Sequence, residues 1–136
     1  MSPCPAGLAF VSVSILRFLM SIPNPPAGVV AAVDAGVGWL RDVPLTGLRV
    51  ETRPDASLPG GFDRVVVKEQ AAPPIWARFY EIGTNRQIFS GRDSIVRGEM
   101  AAIEHERRVN YAWYGYWPEA LLAREYPEWE RARSGR

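Results

Sequence analysis

The chain has 136 residues, 47% of them apolar, which is material for one globular domain and not for two. Sixteen basic residues against fifteen acidic ones leave a formal charge of +1, so no nucleic-acid surface is indicated. A single cysteine, Cys4, and a single histidine, His105, exclude an internal disulfide, a multi-cysteine metal site and a histidine-rich metal cluster.

The first element is apolar. Ala6 to Leu16 has the length of a signal-peptide core, but no basic residue precedes it and no small-x-small cleavage site follows. It is also too short to span a bilayer, so it reads as part of a buried helix. From about residue 10 to 41 the chain is predicted helical in two pieces, parted at Ile22-Pro-Asn-Pro-Pro26, because a residue before proline is driven out of the helical region. The second piece is expected to use Asn24 as its cap and to carry Val29, Val30, Val33, Val37 and Leu40 on one wide stripe. Gly36 and Gly38 would let a neighbour approach closely, and helices of this kind call for neighbours.

Short strands are expected from about 47 to 90. Leu48-Arg-Val-Glu51 and Arg64-Val-Val-Val-Lys68 are alternating and β-branched, and the Pro-, Gly- and Asp-rich stretch between them reads as a turn. Ala77-Arg-Phe-Tyr-Glu81 is a third strand candidate, in which alternation would put Arg78 and Tyr80 on one face and Phe79 on the other. From about 99 to 132 the pattern returns to helix. Met100, Ile103 and Arg107 fall on one side, with Glu104 and His105 towards solvent. Pro118 suits the first turn of a last helix holding Leu121, Leu122 and Tyr126, which Pro127 would end or bend.

Six arginines, Arg78, Arg86, Arg92, Arg97, Arg107 and Arg108, lie within a short span. A guanidinium grips a carboxylate through two parallel hydrogen bonds, so such a cluster suits an anionic ligand. The competing reading pairs these arginines with Glu81, Asp93, Glu104 and Glu106 as ordinary ion pairs. Gly91-Arg-Asp93 resembles a tight turn that presents Arg92. Tyr111-Ala-Trp-Tyr-Gly-Tyr-Trp117 packs five aromatics into seven residues. It reads either as a platform for sugar rings or as a hydrophobic plug, and the plug is favoured for Trp113 and Trp117. With one histidine and no supporting motif, no nucleophile–histidine–aspartate arrangement can be built.

Five blocks in order carry a family resemblance: Ile15-Leu-Arg-Phe-Leu-Met-Ser-Ile-Pro-Asn-Pro25, Trp76-Ala-Arg-Phe-Tyr-Glu81, Thr84-Asn-Arg86, Ile88-Phe-Ser-Gly-Arg-Asp93, and Ile103-Glu-His-Glu-Arg-Arg108 continued by Tyr111-Ala-Trp-Tyr114. Together they resemble the C-terminal segment of the pectate lyases of polysaccharide lyase family ten. The resemblance implies a mostly α chain with a small β-rich part, forming part of an (α/α) toroid. It implies cleavage of polygalacturonate (pectate) by β-elimination with calcium, an arginine serving as base. By resemblance Arg78 and Arg92 would grip the substrate carboxylate, with Arg86 as a third. The base and the carboxylate ligands of calcium would belong to a missing N-terminal part, so no catalytic residue and no metal ligand is assigned here. The parent enzyme would be secreted or periplasmic, its signal lying upstream, and neither nucleic acid nor a membrane is an expected partner. The chain departs from the family at Gln87, Ser94 and Gly98, where proline, glycine and tyrosine are usual. Two other readings stay open: a non-catalytic pectin-binding module, and a structural fragment whose arginines only make ion pairs.

Overall fold

The computed structural model of the chain describes residues 6–134. Cys4 lies outside the described residues. Strand β1 (Ala6–Leu8) runs directly into α1 (Ala9–Met20), and after the proline breaker comes α2 (Ala27–Asp42). The two helices pack on each other through Leu16 and Gly36. A Cβ on Gly36 would stand 2.8 Å from a Leu16 methyl, whereas Gly38 faces open space, so only the first glycine is needed for the approach.

Two expectations at this end are corrected. Asn24 is not the cap of α2: Pro26, with φ −61° and ψ 158°, holds that position without a side-chain cap. Pro25 is kept out of the helical region by the proline after it, so the helix starts only at Ala27. Nor is α1 a buried helix. Ala9, Val13 and Leu16 are buried, but Val11, Ile15 and Phe18 form an exposed stripe, Phe18 with 67% of its surface open.

The longest ribbon pairs β2 (Leu48–Pro54) with β3 (Phe62–Lys68), antiparallel from Leu48 opposite Lys68 to Pro54 opposite Phe62. These are the two runs the alternation pointed to, each extended towards the turn. Gly60 and Gly61 close that turn with φ of 77° and 78°, a region glycine enters without a Cβ clash. The third candidate strand is split. β4 (Trp76–Ala77) and β5 (Phe79–Glu81) belong to different ribbons, β4 pairing with β8 (Tyr114–Gly115) and β5 with β1. A fourth ribbon joins β6 (Phe89–Ser90) to β7 (Val96–Arg97).

This layout overturns the partial (α/α) toroid. The described residues hold one packed helix pair, a C-terminal helix bonded to that pair through Tyr126 to Asp34 and Glu125 to Arg17, a six-residue helix at 105–110 and four two-stranded ribbons, and no ring of helix pairs forms among them. The class is mixed α/β. The physical reason lies in the middle segment: its Pro- and Gly-rich stretches cut the apolar runs to strand length, leaving too few helical positions to stack.

The helix expected from Glu99 is also interrupted. Met100–Ala102 form a single 3-10 turn, Ile103 is extended, and α3 spans only His105–Asn110. His105 does not face solvent. Its Nε2–H donates to the Phe62 carbonyl at 2.7 Å, and Arg108 grips Asp63 with two bonds of 3.1 Å, so α3 is tied to the start of β3. At the C-terminus Pro127 does not end the helix. The turn Leu121–Glu125 widens to a π-helix, with the Tyr126 N–H reaching back to the Leu121 carbonyl, and α4 (Tyr126–Ser134) continues through the proline. A proline ring clashes with the carbonyl four residues earlier in a regular α-helix, and a wider turn relieves that clash.

The core centres on the C-terminal end of α2. Last-turn carbonyls of a helix lack partners within it. Here the Trp76 indole N–H donates to the Leu40 carbonyl at 2.8 Å, and the Tyr80 hydroxyl donates to the Val43 carbonyl at 3.0 Å while accepting the Ala77 N–H at 2.8 Å. Burial pushes the Tyr80 phenol up to about 12, which keeps it a donor throughout the physiological range. Replacing Tyr80 by Phe strands a buried carbonyl and a buried N–H. Urea unfolding should then show a loss of about 2 kcal/mol, whereas Tyr116→Phe, at an exposed ring, should leave the midpoint unchanged.

Candidate functional site

Arg78 sits where the chain changes ribbon partners. Its N–H donates to the Trp113 carbonyl at 2.7 Å and its carbonyl accepts the Ala9 N–H at 3.1 Å, so its backbone is fixed from both sides. The guanidinium lies 4.5 Å from the Tyr111 ring centre, 4.6 Å from that of Phe10 and 5.8 Å from that of Trp117. No carboxylate pairs with it among the described residues. Strand alternation would have separated Arg78 from Phe79. The partner switch instead turns both onto Tyr111, on which Phe79 stacks at 6.2 Å.

Arg92 has the opposite surroundings. It is exposed and forms an ion pair with Glu106 through both Nε and Nη2, the Nε contact measuring 2.6 Å. Its backbone N–H donates to Glu104 at 2.7 Å, and Glu104 lies so close over Gly91 that a Cβ there would overlap the carboxylate. The loop beyond is closed by Asp93, which accepts the Ile95 N–H at 3.0 Å and two Arg97 bonds of 2.8 and 3.1 Å. Thus the ion-pair reading holds for Arg92 and Arg97, and fails for Arg78.

Arg86 is exposed and has no ion pair among the described residues. It lines a cleft of about 640 Å³ with Asn85, Gln87, Arg97 and Glu99, which neither Arg78 nor Arg92 enters. The three arginines therefore do not converge on one cavity. They could meet successive groups of a long ligand, not one small anion.

The aromatic run divides as well. Trp113 and Tyr114 are buried and Tyr111 and Trp117 half-buried, while only Tyr116 is exposed, so the plug describes most of the run. Sequence reasoning missed Phe10, and it counted Arg107 in the arginine cluster without its aromatic partners. Arg107 reaches over Tyr111 and Trp113 at 5.3 and 5.6 Å, and its Nε has no hydrogen-bond partner among the described residues. Its position four residues before Tyr111 was the available signal.

The carboxylates of the described residues are dispersed. Among the described residues no three carboxylate, histidine or cysteine side chains stand together as a metal-binding group. The loop carboxylates are already engaged: Asp93 by Arg97, Glu104 by the Arg92 N–H and Glu106 by the Arg92 guanidinium. Among the described residues no helix is long and apolar enough to cross a membrane.

A family model described as pectic acid lyase matches residues 8–122, most of the chain. The chain belongs to the pectic acid lyase family. Among solved structures, the family 10 polysaccharide lyase from Cellvibrio cellulosa is 32% identical with a TM-score of 0.68, the match covering 85% of this chain and 34% of that one. A mutant of a family 10 polysaccharide lyase from the same organism, in complex with trigalacturonic acid, matches over the same shares at the same identity, with a TM-score of 0.67. The chain thus spans about a third of the length of these relatives. No curated protein matches it.

Backbone strain in the 91–97 loop is concentrated at Ser94. Ser94 adopts φ 63°, a left-handed conformation that strains a residue with a Cβ. Ser94→Gly should therefore stabilise this lyase-family chain by about 1 kcal/mol in denaturant unfolding, relief of strain outweighing the added chain entropy. The same loop should be sensitive to acid. Bonds from Arg97 and from the Ile95 N–H hold the Asp93 carboxyl down at about 2, below its ordinary 3.8. Because the folded value is the lower one, this stabilisation is complete above pH 4 and is lost as pH falls towards 2. Carboxyl-carbon NMR should place the Asp93 midpoint near 2, and Arg97→Gln should return it towards 4.

Proposed function

We propose that the chain is the substrate-gripping, C-terminal part of a pectate lyase that cleaves polygalacturonate by calcium-assisted β-elimination, the proton abstraction being performed by residues outside it. The observation that carries this reading is Arg78, a cation held on the faces of Phe10, Tyr111 and Trp117 with no carboxylate to neutralise it. Ring faces attract a guanidinium without cancelling its charge, which leaves it free to take a carboxylate from a ligand. Family membership supports a uronate as that ligand, since one solved relative is described as a complex with trigalacturonic acid.

Arg92 serves as the second grip. Its pair with Glu106 is exposed on both sides, and such pairs contribute little, so a substrate carboxylate can replace Glu106 there. Arg86 provides a third contact from its own cleft. In β-elimination a base removes the proton beside the sugar carboxylate, and cations around that carboxylate make the proton more acidic. Calcium, held by residues beyond this chain, would add to that effect when bound. A polymer of this size is met outside a cell, so the parent enzyme is proposed to be secreted or periplasmic.

Affinity electrophoresis through pectate gels tests the grip. The chain should be retarded, and Arg78→Ala should weaken binding about tenfold or more, the loss of one charge-assisted contact. Unretarded migration of the folded wild-type chain would overturn the proposal. With calcium and polygalacturonate the chain alone should release no unsaturated oligogalacturonides, and their appearance would place the base within it.

A further inference from the structure

We infer that a second groove, made of two adjoining clefts and centred on Arg64 and Lys68, binds a stretch of the same polyuronate beyond the Arg78 and Arg92 contacts. This inference rests on the pectate-binding reading above and extends it to residues that neither the sequence motifs nor the family comparison singled out.

Two clefts of about 620 and 640 Å³ share Gln87 and Glu99 in their walls, so they adjoin along the surface. The first runs along β3 and takes in Arg64 and Lys68, and the second holds Arg86. None of these three cations has an ion pair among the described residues, whereas Arg17, Arg49, Arg53, Arg92, Arg97 and Arg108 each do. Asp63, also in the first cleft, is neutralised by the bidentate bonds from Arg108. Unpaired cations along the groove therefore outnumber its carboxylates without a cationic partner, Glu81 and Glu99, and Glu81 accepts the Thr84 hydroxyl.

The spacing decides the kind of ligand. Arg64 and Lys68 are four residues apart on one strand, hence on the same face and about 13 Å apart along it. With Arg86 in the adjoining cleft, a ligand that meets all three has to be extended and has to repeat its negative charge. Between them stands Gln87, whose side-chain oxygen accepts the Tyr114 hydroxyl at 2.6 Å and whose NH2 is left to donate to a sugar hydroxyl or carboxylate. The groove wall is also fixed in place, because His105 and Arg108 bind the start of β3.

Affinities of the full chain for trigalacturonate and for long polygalacturonate test the inference. Arg64→Gln with Lys68→Gln should weaken binding of the polymer about tenfold or more and leave the trimer unchanged. Glu99→Gln, which removes a carboxylate from the middle of the groove, should tighten polymer binding several-fold, a gain that misfolding does not produce. If the double variant, folded by circular dichroism, keeps wild-type affinity for the polymer while Arg78→Ala loses it, the groove is overturned and the Arg78 grip stands. Equal losses for trimer and polymer would also overturn the groove, because the ligand would not extend along it. Wild-type chain that binds neither ligand would overturn the pectate reading and the groove together.

Discussion

The fold depends on how the end of α2 is satisfied. A helix buried at its C-terminus exposes carbonyls that have no partner within it, and leaving them unpaired costs about as much as several ordinary contacts contribute. Trp76 and Tyr80 supply the donors, and they lie on the segment from which β4 and β5 start. Trp39 adds an edge contact to the Tyr80 ring at 5.4 Å. These contacts tie the helical pair to the ribbons, none of which has more than two strands. A two-stranded ribbon is marginal in water unless something packs on it, so the ribbons need α2 as much as α2 needs their side chains.

That anchoring also places the cations. Arg78 lies between Trp76 and Tyr80 in sequence, at the residue where the chain leaves β8 and joins β1. The switch gives Arg78 an aromatic setting and denies it a carboxylate. Arg92 lies on a loop framed by carboxylates and acquires one. Two arginines with the same chemistry thus end in different electrostatic states because of the backbone that carries them. An arginine whose charge stays uncompensated in a half-buried setting is costly unless ring faces or a ligand meet it, and here three rings do.

Much of the β2–β3 ribbon, the two N-terminal helices and the family were legible in the sequence. The ribbon shows a period of two over a Gly-bounded turn, the helices show a period near four, and the family shows five ordered blocks. The toroid was expected from the resemblance alone and does not form, because the segment from 48 to 115 breaks into pieces too short for helix pairs. The role of His105 was hidden for a different reason. Its neighbours Glu104 and Glu106 suggested a solvated face, but its partner is a backbone carbonyl 43 residues away, which no local pattern records.

The loop from Gly91 to Arg97 shows how Arg92 can exchange one partner for another without losing its place. Its side chain is held by Glu106, but its backbone is held separately by Glu104, and Asp93 closes the turn through Ile95 and Arg97. A carboxylate arriving from a ligand competes only with Glu106. The strain of Ser94 at φ 63° persists because these surrounding bonds over-determine the loop, the circumstance in which a left-handed serine is tolerated. A loop built this way keeps the Arg92 backbone in place whether or not Glu106 holds the side chain, so an exchange of partners there requires movement of the side chain and not a rearrangement of the backbone.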